Sequence, residues 1–373
     1  MTGKKVLITG GAGFVGSHTA DALLRSDHEV TIYDNLSEQV HGSKVPDYLC
    51  PDLNLISSDV RDLPSLTKAV RGAEVIFHLA AAVGVGQSMY QISDYTEINN
   101  LGTANLLQAI LDSGARPERI VVASSMSIYG EGRYECKQCG MVNPGPRPVE
   151  QLRAKQWETI CPQCGEVLEP RPTREDKPLQ CTSIYALSKK DQEEMTLLFG
   201  RTYGIPAVAL RYFNIYGPRQ ALSNPYTGVA AIFASRMLNG NPPLIFEDGL
   251  QMRDFVSVHD IVQANLLAME ADSAAGQVFN IGSGLPVNIF EVAEALADAL
   301  ANNREPQITG KYRAGDIRHC FGDITQARQK LGYSPQVSLE KGMNELAEWL
   351  SSQRADDLVD EAFDRLRVHG LVA

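Results

Sequence analysis

Short runs that are apolar almost throughout alternate, over the first 215 residues, with longer stretches whose apolar positions recur every three or four residues. Lys4–Thr9 (KKVLIT), Glu29–Asp34 (EVTIYD), Leu53–Asp59, Val75–Ala81 (VIFHLAA), Ile120–Ser125 (IVVASS) and Ala207–Asn214 (AVALRYFN) predict six strands. Phe14–Ser26, Leu63–Arg71, Asp94–Ser113 and Ser183–Tyr203 predict the helices between them. Strands without polar alternation are buried on both faces, so this order predicts an α/β fold with a doubly wound parallel sheet.

The rhythm breaks twice. Residues 131–180 are rich in Pro, Gly and Cys and read as an insert within a first domain, 1–215. Beyond Gly217 the elements are smaller and mixed: helices at Val229–Asn239, after Val258 and at Ile289–Leu300, with strands near Leu244, Phe255 and Val278–Ile281. This reads as a smaller C-terminal α/β domain, 216–350. In the tail, 351–373, Leu358, Ala362, Phe363 and Leu366 share one helical face and predict a surface helix.

With 373 residues the chain has room for about two domains. Its apolar fraction of 44% and charged fraction of 21% exclude disorder, and a net charge of −11 argues against a nucleic-acid backbone as partner. Val75–Gly86 is too short to span a bilayer, and Met1–Lys5 runs straight into a strand, so neither a membrane segment nor a secretory leader is expected; the expected location is the cytoplasm.

Thr9-Gly-Gly-Ala-Gly-Phe-Val-Gly16 follows the first strand and opens the first helix. Gly10, Gly13 and Gly16 would let backbone approach a pyrophosphate at the positive helix N-terminus. Asp34 ends the second strand, where a carboxylate accepts from ribose hydroxyls and repels a 2′-phosphate; this favours NAD over NADP. Tyr185 and Lys189 are four residues apart on one helix, and an ammonium near a phenol favours the phenolate. Tyr185 is therefore a candidate general base, supported by the Ser124-Ser-Met-Ser-Ile-Tyr-Gly130 segment at the carboxyl end of a strand.

Cys136-Lys-Gln-Cys139-Gly and Cys161-Pro-Gln-Cys164-Gly are two knuckles whose four thiolates suit a closed, structural zinc site. Free thiols, a labile disulfide or an iron site are the alternatives. The insert holds eight Lys/Arg against eight Asp/Glu, so it is no basic nucleic-acid reader. Cys50, Cys181 and Cys320 have no partner by spacing. Because the insert lies between Ser125 and Tyr185, it is expected to shape or cover the substrate pocket.

The glycine motif, the Ser124–Gly130 segment, Tyr185-x-x-x-Lys189 and Arg211-Tyr-Phe-Asn-Ile-Tyr-Gly-Pro-Arg219 together resemble the extended short-chain dehydrogenase/reductase family, specifically its nucleotide-sugar 4-epimerases. The resemblance implies a Rossmann-type domain, bound NAD, a homodimer formed by the helices at 94–113 and 183–203, and Ser125 as the catalytic hydroxyl. It places Phe14, Val15, Asn35, Asp59, Val60, Leu79, Ala80, Ala81 and Asn99 at the cofactor. Ser127, Asn214, Arg253, Arg313 and Asp316 fall at the substrate, the arginines on its pyrophosphate. Related dehydratases carry an Asp-Glu pair where Met126 and Ser127 stand; decarboxylases carry Glu, and 3,5-epimerases Cys, at the Ser127 position. Without such an acid or base, hydride chemistry at one carbon remains. Ala80–Tyr90 together with the four-cysteine insert looks most like the dTDP-L-rhamnose 4-epimerases. A 4-ketoreductase or dehydrogenase with exchanging cofactor is the rival reading. A non-catalytic nucleotide sensor with a zinc-mediated partner surface is a second, which the complete Tyr185, Lys189 and Ser125 set opposes.

Overall fold

The computed structural model describes residues 3–42, 44–302, 304–313 and 315–372. Seven strands form one parallel sheet: β1 (Lys5–Thr9), β2 (Glu29–Asp34), β3 (Asn54–Ser57), β4 (Val75–His78), β5 (Arg119–Ser125), β6 (Ala207–Tyr212) and β7 (Val278–Ile281), in the order β7-β6-β5-β4-β1-β2-β3. Successive side chains fill opposite faces. Val6 and Ile8 join a core with Ala20, Leu23, Ile261 and Ala264, whereas Leu7 joins Leu106, Ile110, Leu197 and Phe199 on the other side. The first face is covered by α1 (Phe14–Arg25) and the second by α2 (Gly102–Ser113) and α3 (Ile184–Tyr203). The strand order reverses between β1 and β4, and there a crevice opens at the strands' carboxyl ends.

Four stretches differ from expectation. The helix foreseen over 94–113 is interrupted by a π turn at Thr96–Leu101. Asn99 within it spends its side-chain amide on the Ala82 backbone, and Gly102 lies where a Cβ would meet Val60 at 2.6 Å. The strand foreseen over 207–214 divides at Phe213. Its first part stays in the main sheet, while Asn214–Tyr216 pairs with Met252–Ser257 in a second sheet. Val278–Ile281 is the seventh strand of the main sheet, and α4 (Val258–Glu270) packs beside α1, so the chain returns to the first lobe after residue 216. The smaller lobe is built around Phe233, Met237, Leu296, Met343 and Leu346. The insert is a small antiparallel sheet of Arg133–Cys136, Gly140–Val142 and Glu169–Arg171.

The tail helix α5 (Val359–Val368) is not a plain surface helix. It buries Ala362 and Leu366 and borders the crevice. Among the described residues no helix is long and apolar enough to cross a membrane.

Candidate active site

The crevice is a cleft of about 1380 Å³ running between the two lobes. At one end lie Gly10, Gly13, Phe14, Val15 and Gly16. Gly10 has φ +71°, and a Cβ there would stand 2.7 Å from the Ala80 nitrogen. A Cβ at Gly16 would stand 2.3 Å from the Gly10 carbonyl oxygen, so both glycines are required by close packing. Gly13 opens α1 without a side-chain cap, which leaves the first amides of the helix available to an anion. Asp34 is nearly buried. Its carboxylate accepts from the Ala12 and Leu36 amides at 3.0 and 2.9 Å, which fixes it at the cleft edge.

Asn35, Val60, Leu79, Ala80 and Ala81 also line the cleft; Asp59 and Asn99 do not. Asp59 binds Arg61 and Asn35, both at 2.9 Å, and the Arg61 hydrogen bond is the main force holding its carboxyl at about 2. Asn99 is fully buried and holds Ala82 through both backbone groups, so it positions the rim.

Ser125 ends β5, and α3 brings Tyr185 and Lys189 opposite it, all three on the cleft wall. Ser183 caps α3 by accepting from the Ala186 amide at 3.0 Å, and Ser88 accepts from the Tyr185 amide at 3.0 Å. These bonds set the height of Tyr185. The expected lowering of the Tyr185 pKa by Lys189 is not found. Burial pushes the phenol up, and the Ser125 hydroxyl pulls it down. The Lys189 ammonium instead donates to Gln192 Oε1 at 2.8 Å, and burial lowers its pKa to about 7. Ser127 donates to Ser125 Oγ at 2.9 Å.

Behind these groups stands a set that sequence reasoning passed over. Glu193 accepts from Ser124 Oγ at 2.6 Å and from Arg211 Nε at 3.0 Å, and Arg211 donates to the Tyr129 hydroxyl at 2.8 Å. The signal was the Lys189–Glu193 spacing of four on one helix face.

Ser127, Asn214, Arg253, Arg313 and Asp316 also line the cleft. Arg253 donates to the carbonyls of Met252 and Arg318, both at 2.9 Å, and of Ile317. Arg313 is paired with Asp316 at 2.9 Å and stands over the Phe246 ring.

The sulfur atoms of Cys136, Cys139, Cys161 and Cys164 lie within 4.8 Å of one another. Tetrahedral zinc with bonds near 2.3 Å separates its sulfurs by roughly 3.8 Å, so the cluster could hold such an ion. No residue of 131–180 lines the cleft, contrary to expectation. The insert instead docks on 316–322, through Gly132 to His319 and Thr173 to Phe321, both at 2.8 Å. Arg147 donates to the Asp316 carbonyl at 3.1 Å and pairs with Glu247 at 2.7 Å. The insert thus stands as a buttress behind the arginine-bearing segment.

Residues 6–148 and 159–282 match the NAD dependent epimerase/dehydratase family. The chain is 36% identical over 360 residues to the dTDP-L-rhamnose 4-epimerase of Burkholderia thailandensis, covering 95% of this chain and 96% of that protein. A UDP-N-acetylglucosamine 4-epimerase from Methanobrevibacter ruminantium, solved with UDP-N-acetylmuramic acid, superposes with a TM-score of 0.77 at 31% identity, covering 95% of this chain and all of that one. A UDP-glucuronic acid 4-epimerase from Bacillus cereus, solved with UDP-glucuronic acid and NAD, gives 0.76 at 25% identity, covering 93% and 99%.

Proposed function

Since the chain belongs to the NAD dependent epimerase/dehydratase family, we propose that it inverts C4 of a nucleotide-linked sugar with NAD kept bound throughout. The observation that carries this reading is the convergence of Tyr185, Lys189 and Ser125 on one wall of a cleft that also holds the glycine turn and Asp34. NAD supplies a hydride acceptor and donor for C4. Tyr185 takes the proton from the O4 hydroxyl and Ser125 hydrogen-bonds the same oxygen. Lys189 orients the nicotinamide ribose and, turned from Gln192, stabilises the phenolate. Arg253 and Arg313 hold the pyrophosphate while the ketone-bearing ring presents its other face, and Tyr185 then returns the proton. Met126 and Ser127 line the cleft where elimination or C5 chemistry would need an acid or base, which favours a single-carbon reaction.

The substrate we favour is dTDP-L-rhamnose, giving dTDP-6-deoxy-L-talose, because the Burkholderia relative carries that name and matches along nearly the whole chain. We assign zinc to the four-cysteine cluster as a structural ion, since four thiolates leave no position for water. Reduced thiolates suit the cytoplasm. Exposed Leu101, Leu187 and Leu198 lie on the segments implied in a homodimer and support that assembly.

The test is cofactor content. Protein denatured after purification should release close to one NAD per chain, and the untreated protein should turn over with none added. Release of NADP would overturn the role of Asp34. Dependence on added NAD(P)H would favour the ketoreductase reading.

A further inference from the structure

The tail helix α5 runs along the cleft, anchored at both ends on the smaller lobe and touching the Gly86–Tyr90 segment of the first lobe in between. It is anchored at its start where Asp357 accepts from Asn241 at 2.7 Å and pairs with Arg236, and at its end where Val372 forms a bridge with Arg313. Between these anchors Val359, Ala362, Phe363 and Leu366 line the cleft. The Phe363 ring stacks on Phe246 with centroids 5.8 Å apart, and this aromatic pair is flanked by two cations. Lys311 Nζ is 4.3 Å from the Phe363 centroid, and the Arg313 guanidinium is 5.0 Å from that of Phe246. One turn on, Leu366 meets the loop that positions the catalytic tyrosine. A Cβ built on Gly86 would be 3.0 Å from it, and Ser88 of the same loop holds the Tyr185 amide. His369 then stacks on Tyr90 at 4.7 Å.

We infer that α5 is a wall of the substrate site, with Phe363 stacking on the nucleobase of a nucleoside diphosphate and Leu366 contacting the reacting sugar. The order along the helix matches the order along such a ligand. An aromatic face between cations suits a base joined to a pyrophosphate, and an apolar side chain beside the Tyr185 loop suits the hexose. Leu366 is buried and carries no polar atom, so it fits a sugar whose exocyclic carbon is a methyl better than one carrying a carboxylate. This inference rests on the nucleotide-sugar reading above.

The experiment titrates intact, NAD-loaded protein with thymidine diphosphate and with uridine diphosphate, and measures KM for the nucleotide sugar that turns over. Phe363→Ala should weaken the preferred diphosphate by about tenfold, the scale of one lost base stack. Leu366→Ala should change diphosphate affinity less than twofold yet raise the nucleotide-sugar KM by about tenfold. Both variants should retain wild-type NAD content, which a merely structural role would not separate from substrate binding. Unchanged affinity and KM in both variants would overturn the inference while leaving the nucleotide-sugar reading intact. Loss of NAD in step with substrate affinity would overturn it too, by showing that α5 only holds the lobes together. If wild-type protein binds neither diphosphate, the nucleotide-sugar reading falls, and α5 as its wall falls with it.

Discussion

Lys189 is buried and Tyr185 half-buried, and their environment opposes charging either one in the free protein. Tyr185→Phe keeps the ring and its contacts with Tyr95, whose ring lies edge-on 6.4 Å away, but removes the ionisable hydroxyl. It should lower kcat by about a hundredfold or more with little change in nucleotide affinity, measured by steady-state kinetics and titration. Ser125→Ala should be milder. Lys189 also links the site to stability. Its folded pKa of about 7 lies below the 10.5 of the unfolded chain, so the unfolded state binds the extra proton between those values. Stability should therefore be lowest below about pH 7 and rise towards 10.5. Lys189→Met should remove that rise and raise Tm at pH 6 while losing activity; an unchanged pH–stability profile would contradict it. Tyr185 and Lys189 were legible in the sequence because their relation is local to one helix turn. The direction of the Lys189 side chain was not, because it depends on Gln192 and on burial by other elements.

The insert shows the same division at the scale of elements. Two knuckles with fixed spacing made the cysteine cluster legible. Where it docks was not, because the partners of Arg147 and Glu158 are Glu247, Arg318 and His319, which lie 100 or more residues away. Arg318 is fully buried among Glu158, Glu247 and Asp248, so the insert and the arginine-bearing segment are joined by charges that cannot be left single. Replacing Cys136 and Cys139 together with Ser should abolish metal binding and unfold 131–180, since in small metal modules binding free energy is folding free energy. Bound NAD should persist, and KM for the nucleotide sugar should rise, because the segment carrying Arg313 and Asp316 loses its buttress. Metal analysis, NAD content and KM check this; a variant that loses metal at unchanged kcat/KM would assign the insert to a different task. A further acid-side effect is expected from Glu158. Burial raises its pKa, but His319 and Arg318 outweigh that and hold it at about 2. Its contribution should be complete above about pH 4.5 and lost as pH falls towards 2, and Glu158→Gln should remove that loss in acid unfolding curves.

Across the whole molecule the sheet was readable from apolar runs, but the strand at 278–281 and the tail were placed by contacts that no local pattern records. Val278–Ile281 has the length and composition of any short strand; only its pairing with β6 puts it in the main sheet. The tail's apolar face was visible, but its partner, the cleft, is made by two lobes. In the proposed function these elements would place a hydride-carrying cofactor at one end of the cleft, a pyrophosphate clamp at the other and a single acid–base group between them. In the proposed reaction, inversion occurs at C4 by hydride removal and return, with no carbon-bound proton exchanged with water. The most direct measurement is turnover of dTDP-L-rhamnose in deuterium oxide without added cofactor, followed by proton NMR. The expected result is a mixture of C4 epimers with full proton occupancy at C3, C4 and C5. Deuterium at C3 or C5 of the product would contradict it, as would product formed only after nicotinamide cofactor is added.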